Sequence, residues 1–454
     1  MRSLASLFVA MGKDVSGSDS GSVAELSGLA TEGIHVRHGH DASNVAGADL
    51  VVASAAVPVE NPELRSAGER GIPILSHAQA LGGLMATRDG IGVAGTHGKS
   101  TTTALVAHIL AVAGRDPTLA GGAESLDFDG YGRLGRGPEL VAEADEFGRR
   151  FLELHPRLAI ITGVEPDHLD YYCTFHAVRE AFQRFVDGMA PDGLVVTCED
   201  EPNLAGLPLS RRRVRYGWAG HADWRLERFE PRLGGGGSFV VRRPNGSRHV
   251  YESRLTGRHQ AANAVAALAI ADELGVSDQA ARDGIESFGG TRRRFETLAR
   301  SDDAWIVDDY AHHPTAIAAN LRAAREVHEG RLVAVFQPHT THRTRALRAE
   351  FAAAFSDADR VIVAPIYQPT GRSAGRPEIT AEELVAQMAH PDATASASLD
   401  AACELALPEL RRGTMVIVLG AGDVTAVAQR LAQTVARGSL AAPLLAGRIS
   451  GGAG

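Results

Sequence analysis

Residues 95–100 read Gly95-Thr96-His97-Gly98-Lys99-Ser100. They stand between a short apolar run, Ile91-Gly92-Val93-Ala94, and a helix-like run, Ala104 to Ala113. A strand, a tight glycine loop and a helix N-terminus carrying a lysine can be assembled in few ways, and the pattern predicts an α/β unit built around it. Glycines let backbone N–H groups approach phosphate oxygens, the helix N-terminus favours negative charge, and Lys99 can reach terminal phosphates. Gly95, Thr96, His97, Gly98, Lys99, Ser100 and Thr101 are therefore the candidate ATP-binding loop, with the hydroxyl of Ser100 or Thr101 available to Mg²⁺. Val93 stands where the longer phosphate-loop form has its first glycine, so this is a shorter version. An ordinary βα turn with a surface lysine would not require two glycines, a Lys-Ser pair and a following helix in register.

The chain has 454 residues, room for two or three domains with full cores. Its net charge is −9, and its short Arg211-Arg212-Arg213 and Arg292-Arg293-Arg294 clusters sit in mixed sequence. Nucleic acid is thus disfavoured as a partner. Cys173, Cys198 and Cys403 are far apart, which argues against a disulfide framework or a zinc site and fits a reducing, cytoplasmic setting. No apolar run has the length of a membrane span, and Met1–Met11 is too short and soon too polar for a signal peptide. It reads as an amphipathic helix closed by Gly12.

Helix patterns alternate with short strands (Asp14–Asp19, Asp49–Ser54, Ile72–Leu75) over residues 1–88, which suggests a Rossmann-like parallel sheet. Such a domain normally opens with a strand and a glycine turn, whereas this chain starts inside the helix expected after them. Residues 89–298 hold the phosphate loop, strands at Glu139–Ala144, Leu158–Thr162 and Leu194–Cys198, a strand-like stretch from Arg212 to Leu255 turning at Gly234–Gly237, and a helix from Gln260 to Leu274. Residues 299–437 read as another α/β unit, with strands at Trp305–Asp308, Leu332–Phe336, Val361–Ala364 and Met415–Leu419. Residues 438–454 read as a flexible tail.

Several polar groups fall at the predicted strand ends, where parallel sheets collect their ligands. Glu143, in Glu143-Ala144-Asp145-Glu146, is a natural Mg²⁺ ligand there, although such runs are more commonly solvated turns. His168, flanked by Asp167 and Asp170, can share a second metal ion with a carboxylate. The amides of His259-Gln260-Ala261-Ala262-Asn263 can pair with a base edge, or simply begin a capped helix. Arg294 can clamp a transferred phosphoryl group. Asp309-Tyr310-Ala311-His312-His313-Pro314, polar groups at a strand end before a helix-opening proline, is no packing pattern.

Together these segments resemble the Mur ligases of peptidoglycan synthesis. The marks are Gly95-Thr96-His97-Gly98-Lys99, Glu143-Ala144-Asp145-Glu146, Asp309 through Pro314 and Phe336-Gln337-Pro338-His339, with Asn61-Pro62-Glu63 in the first segment and Leu419-Gly420-Ala421-Gly422-Asp423 near the end. The pattern is most similar to members that join L-alanine to UDP-N-acetylmuramate. The resemblance implies a three-domain α/β architecture: a Rossmann-like UDP-sugar domain lacking its first strand (1–88), a central P-loop ATPase domain (89–298) and a Rossmann-like amino-acid domain (299–437). It implies ATP and Mg²⁺, with Ser100, Glu143 and His168 on the metal, Lys99 and Arg294 on the phosphates, His259 and Asn263 near adenine, and Asp309 near the ribose. It also implies substrate contacts from His97, His312, His313, His339 and Arg343. The partners implied are UDP-N-acetylmuramate and L-alanine, with no nucleic acid or membrane insertion, in a monomer or homodimer.

The sequence departs from the family pattern at named positions. Gly163 stands for a usual Asn, Gln260 for the first Asn of His-Asn-x-x-Asn, and Thr340 for an arginine after His339. Phe147-Gly148-Arg149-Arg150 replaces the usual Ser-Asp continuation of the acidic motif. These departures leave two alternatives open: a diverged ligase using the same chemistry on another carboxylate or amine, as in peptide recycling or specialised metabolism, or a non-catalytic nucleotide-binding subunit.

Overall fold

The computed structural model describes residues 1–21, 29, 32–204, 206–369 and 379–445. They form two compact units, the first of residues 1–228, 239–252 and 262–291, the second of residues 229–238, 253–261 and 292 onward. Among the described residues no helix is long and apolar enough to cross a membrane.

The first unit opens with the helix Arg2–Ala10, which buries Leu4 and Leu7. Two parallel pairs follow: β1 (Ser16–Asp19) with β2 (His35–His38), and β3 (Val51–Ala53) with β4 (Ile74–Ser76). The remaining strands form a ten-stranded sheet. In chain order they are β5 (Asp89–Ala94), β6 (Thr118–Ser125), β7 (Gly130–Arg133), β8 (Glu139–Glu143), β9 (Leu158–Ile161), β10 (Leu194–Cys198), β11 (Arg212–Gly217), β12 (Trp224–Pro231), β13 (Gly237–Arg242) and β14 (Arg248–Ser253). Across the sheet they run β14-β13-β12-β11-β10-β9-β5-β8-β6-β7. β5, β8 and β9 are neighbours, parallel and almost wholly buried, as expected of strands covered on both faces.

The hairpin of β6 and β7 carries no strong alternation and was not expected. The opening helix packs on it, with Arg2 over the Tyr131 ring and the backbone of Ser3 against Gly132. Residues 1–88 and much of the expected central segment therefore fall in one compact unit.

The second unit is a six-stranded sheet. Its strands are β15 (Glu296–Arg300), β16 (Ala304–Asp309), β17 (Arg331–Phe336), β18 (Arg360–Val363), β19 (Ala393–Ala395) and β20 (Thr414–Leu419), in the order β15-β16-β20-β17-β18-β19. All neighbouring pairs are parallel except β15 with β16. Side chains alternate between two cores. Val307, Ala334, Val361 and Ile417 face one, with Ile317 and Leu321 of the helix Pro314–Val327. Ile306, Val335, Ile362 and Val416 face the other, with Val427 and Leu431 of the closing helix. Period-two alternation into two helix layers is the doubly wound arrangement expected from sequence. The closing helix continues to Leu445, past the Arg437 after which the tail was expected, and residues 446–454 lie outside the described residues.

Candidate active site

In the first unit the register aligns Val93 of β5 with Glu143 of β8 and Ile160 of β9. The loops leaving these three strands consequently share one carboxyl edge of the sheet. Gly95 and Gly98 adopt φ of 132° and 77°, angles disfavoured for any residue with a Cβ. A Cβ on Gly95 would lie 2.1 Å from Thr162 Oγ1, and one on Gly98 2.6 Å from Asn263 Oδ1. The loop is therefore pressed against the end of β9 on one side and against the helix Arg258–Glu273 on the other, where Asn263 meets Gly98.

Thr96 accepts a hydrogen bond from Glu165 N (2.9 Å) and donates its own N–H to Gly163 O (2.9 Å). His97 Nε2 lies 3.5 Å from Glu165. The helix Lys99–Val112 starts directly on the loop, with Ser100 in its first turn. The Thr101 hydroxyl sits 3.5 Å from that of Thr291, and Ser100 and Thr101 are both buried in the first turn of that helix.

Lys99 Nζ donates to Glu146 Oε1 (3.0 Å) and to Gly95 O, and its ion pair with Glu146 brings it 2.9 Å from Oε2. Burial works against the lysine charge, but Glu146, Glu143 and Asp145 outweigh it and raise its pKa. Burial also pushes Glu146 up to about 7, against the pull of Lys99. Glu146 lay inside a recognised acidic run, yet its role as the lysine's partner had no signal of its own, because Asp145 and Glu146 lie past the strand, where alternation no longer says which way a side chain points.

Glu143 closes β8, and one of its carboxyl oxygens is buried with no hydrogen-bond partner. Its carboxyl group occupies the space a side chain on Gly122 would need. A buried carboxylate oxygen with no donor, beside a lysine and a helix N-terminus, fits a Mg²⁺ ligand. His168 caps the short helix Leu169–Tyr172 in a left-handed conformation (φ 53°), with Nε2 3.9 Å from Glu146 and 3.7 Å from Asp167. The chain thus brings Lys99, Glu143 and His168 to one sheet edge, with Glu146 between lysine and histidine.

In the second unit the carboxyl ends of β16, β20 and β17 also coincide, since Asp309 and Phe336 both align with Leu419. Asp309 accepts N–H groups from Ala311 (2.7 Å) and Phe295 (2.6 Å). Burial raises its pKa to about 6, opposed by Arg294 and these N–H groups. The Arg293 and Arg294 guanidiniums lie 5.1 and 4.9 Å from the Tyr310 ring centre. Arg293 also donates to Gly420 O and Gly422 O, which ties down the turn carrying Arg294. His312, His339 and Tyr367 form a ring series at 5.5 Å spacings, and Arg343 Nη1 lies 3.1 Å from His339 Nδ1. His313 is buried at the start of the helix Pro314–Val327. His259 lies in the first turn of the helix Arg258–Glu273, against Gly257. Thr340, found where an arginine was expected, accepts from Arg343 N and caps the helix Thr341–Ala346.

Residues 1–89 match the Mur ligase family catalytic domain, residues 139–271 the Mur ligase middle domain, and residues 293–422 the Mur ligase glutamate ligase domain. The chain is 41% identical over 437 residues to a protein from Bradyrhizobium diazoefficiens named UDP-N-acetylmuramate–L-alanine ligase, covering 94% of this chain and 93% of the relative.

The chain belongs to the Mur ligase family.

A Symbiobacterium thermophilum protein of the same name is also 41% identical, over 450 residues, covering 96% of this chain and 92% of the relative. Among solved structures, UDP-N-acetylmuramate–alanine ligase from Thermotoga maritima superposes with a TM-score of 0.81 at 27% identity, covering 96% of each chain. A murein peptide ligase from Psychrobacter arcticus gives 0.72 at 26% identity, covering 95% of this chain and 96% of that one. The expected three-domain α/β architecture of the family is thereby established for this member.

Proposed function

We propose that this Mur ligase joins L-alanine to the lactyl carboxylate of UDP-N-acetylmuramate at the expense of ATP, in cytoplasmic peptidoglycan precursor synthesis. One observation carries the reading: Lys99, Glu143 and His168 stand at the ends of three neighbouring parallel strands, in a chain 41% identical along nearly its whole length to relatives of that name. A carboxylate is a poor electrophile until one of its oxygens becomes part of a leaving group. Its oxygen attacks the γ-phosphorus and ADP departs, leaving an acyl phosphate. The amine of L-alanine then attacks the acyl carbon, loses a proton, and inorganic phosphate leaves.

Most of the protein's contribution is positioning and neutralisation of charge. Gly95, Thr96, His97, Gly98, Ser100 and Thr101 form the cradle, and Lys99 neutralises the terminal phosphates. Asn263 and His259 serve the adenine side, Asp309 the ribose and Arg294 the transferred phosphoryl group. His97, His312, His313, His339 and Arg343 face the substrates. Ser100, Glu143 and His168 would hold Mg²⁺, which supplies Lewis-acid polarisation of the phosphoryl oxygens when bound. Residues 1–88, 89–298 and 299–437 are assigned to the sugar nucleotide, ATP and the amino acid in turn.

The test is phosphate release by the purified chain with ATP, Mg²⁺, UDP-N-acetylmuramate and each of L-alanine, glycine and L-serine, with Lys99→Ala as the blank. Release that needs both UDP-N-acetylmuramate and L-alanine, and falls by about two orders of magnitude or more in the blank, is the expected result. Release with another amine alone would support the diverged-ligase reading. ATP binding with no release under any of these conditions would support the binding-subunit reading.

A further inference from the structure

The stretch Phe147-Gly148-Arg149-Arg150, where the sequence leaves the family pattern, has no part in the function argued so far. Its backbone turns back on itself at Gly148 (φ 64°) and Arg149 (φ 58°). The left-handed region is ordinary for glycine but disfavoured for a residue such as arginine. Such strained residues persist where the surroundings hold them, and they concentrate at functional sites. Here the reversal brings Arg150 back over the acidic run. Its Nη1 lies 2.9 Å from Asp145 Oδ2, its guanidinium carbon lies 5.2 Å from the Phe147 ring centre, and Phe147 N donates to Asp145 Oδ1 at 3.1 Å.

Arg150 lines a cavity of about 370 Å³ within the first unit. That volume is in the range of small-molecule sites. Glu143, Asp145, Gly122 and His77 share the wall. The Nε of Arg150 is buried and has no hydrogen-bond partner, and the same holds for Nε2 of His77. A guanidinium has five N–H donors, and two of them together match the two oxygens of a carboxylate or phosphate. The Asp145 partner is 41% exposed, so that ion pair is weak and open to exchange. An arginine with a buried unsatisfied donor, held by a strained turn in the wall of a cavity that Glu143 also lines, is arranged to receive an anion.

We propose that Arg150 is the oxyanion-binding residue of this cavity, and, resting on the function proposed above, that it takes an anionic group of the sugar nucleotide, either its carboxylate or its diphosphate. Arg150 belongs to the stretch Phe147-Gly148-Arg149-Arg150 that stands in place of the usual Ser-Asp continuation.

Equilibrium binding to the full chain tests it, with UDP-N-acetylmuramate and UDP-N-acetylglucosamine as probes. The second has the same nucleotide and diphosphate but no carboxylate. Arg150→Met is expected to weaken UDP-N-acetylmuramate about tenfold or more, with Arg150→Lys intermediate and ATP affinity unchanged within about twofold. Loss confined to UDP-N-acetylmuramate identifies the carboxylate, and equal loss for both probes identifies the diphosphate. Asp145→Asn, which frees Arg150 without removing it, is expected to keep or tighten UDP-N-acetylmuramate. The proposal is overturned if Arg150→Met, still binding ATP normally, holds both probes as well as the parent chain does. It is equally overturned if Asp145→Asn weakens UDP-N-acetylmuramate as much as Arg150→Met, because the pair would then be a structural staple. Phosphate release by the parent chain separates the two levels. A parent that turns over beside a normally binding Arg150→Met variant sinks this inference alone, whereas a parent that neither binds nor turns over UDP-N-acetylmuramate sinks the functional reading and this inference with it.

Discussion

Lys99 is held by Glu146, whose side chain is only 4% exposed, and any phosphate entering the loop must compete with that carboxylate for the ammonium. Glu146→Gln keeps the size and an acceptor but removes the competing charge. It is expected to tighten ATP severalfold, read as a lower Kd by calorimetry, and weaker binding would mean that Glu146 orients Lys99 rather than competing for it. Asp309 gives a pH signature in the second unit. Burial lifts its pKa from 3.8 to about 6. Between those values the folded chain holds a proton that the unfolded chain has released, so the stability this group contributes falls as pH rises from about 4 to 6. Asp309→Asn does not titrate. The stability difference between parent and variant, from urea midpoints across that range, is therefore expected to move against the parent as pH rises. A flat difference would show that Asp309 titrates normally in the folded chain.

At the scale of elements, the site depends on how closely two strands approach. β6 runs beside β8, and Gly122 leaves the space into which the Glu143 carboxyl folds. Gly122→Ala would place a methyl carbon within 2.3 Å of that carboxyl. The carboxyl must then move while the rest of the sheet keeps its pairing. Supporting residues of a metal site commonly carry about ten- to a hundredfold in metal affinity, so the Mg²⁺ concentration for half-maximal phosphate release is expected to rise about tenfold in Gly122→Ala. An unchanged Mg²⁺ requirement would remove Glu143 from the metal assignment. The same pair of strands shows what was legible in the sequence. β5, β8, β9 and β10 are short, mainly apolar runs bounded by turn residues; β8, β9 and β10 were placed to within a residue, and β5 begins two residues before the expected Ile91. The phosphate loop was legible because its conformation demands glycine at 95 and 98. β6 was not: Thr118-Leu119-Ala120-Gly121-Gly122 has neither alternation nor β-branched weight, and its pairing with β8 is a long-range contact that no local pattern encodes. Arg150 was visible only as a departure, because its placement rests on two left-handed residues whose angles the letters do not announce.

At the scale of the whole molecule, the chain divides into two compact units, each with its own sheet and core, and the residues assigned to ATP are distributed over both. Lys99 and Asn263 belong to the first, Arg294 and Asp309 to the second. The two assignments have different grounds. The first rests on a glycine loop and a lysine whose geometry suits phosphate, the second on resemblance together with a buried aspartate and an arginine at a strand edge. A ligand that binds only the folded state stabilises what it touches, by about 2.7 kcal/mol at a hundred times its Kd. Amide hydrogen exchange can read that stabilisation segment by segment. Mg²⁺-ATP is expected to slow exchange over residues 95–103 in the parent chain and to leave it unchanged in Lys99→Ala. It is also expected to slow exchange over residues 293–295 and 309–312. Protection of the first segment without the second would strike Arg294 and Asp309 from the nucleotide set and leave the phosphate loop standing. Protection of both, lost together in Lys99→Ala, would keep Arg294 and Asp309 in the nucleotide set and make the lysine the contact on which the rest depend.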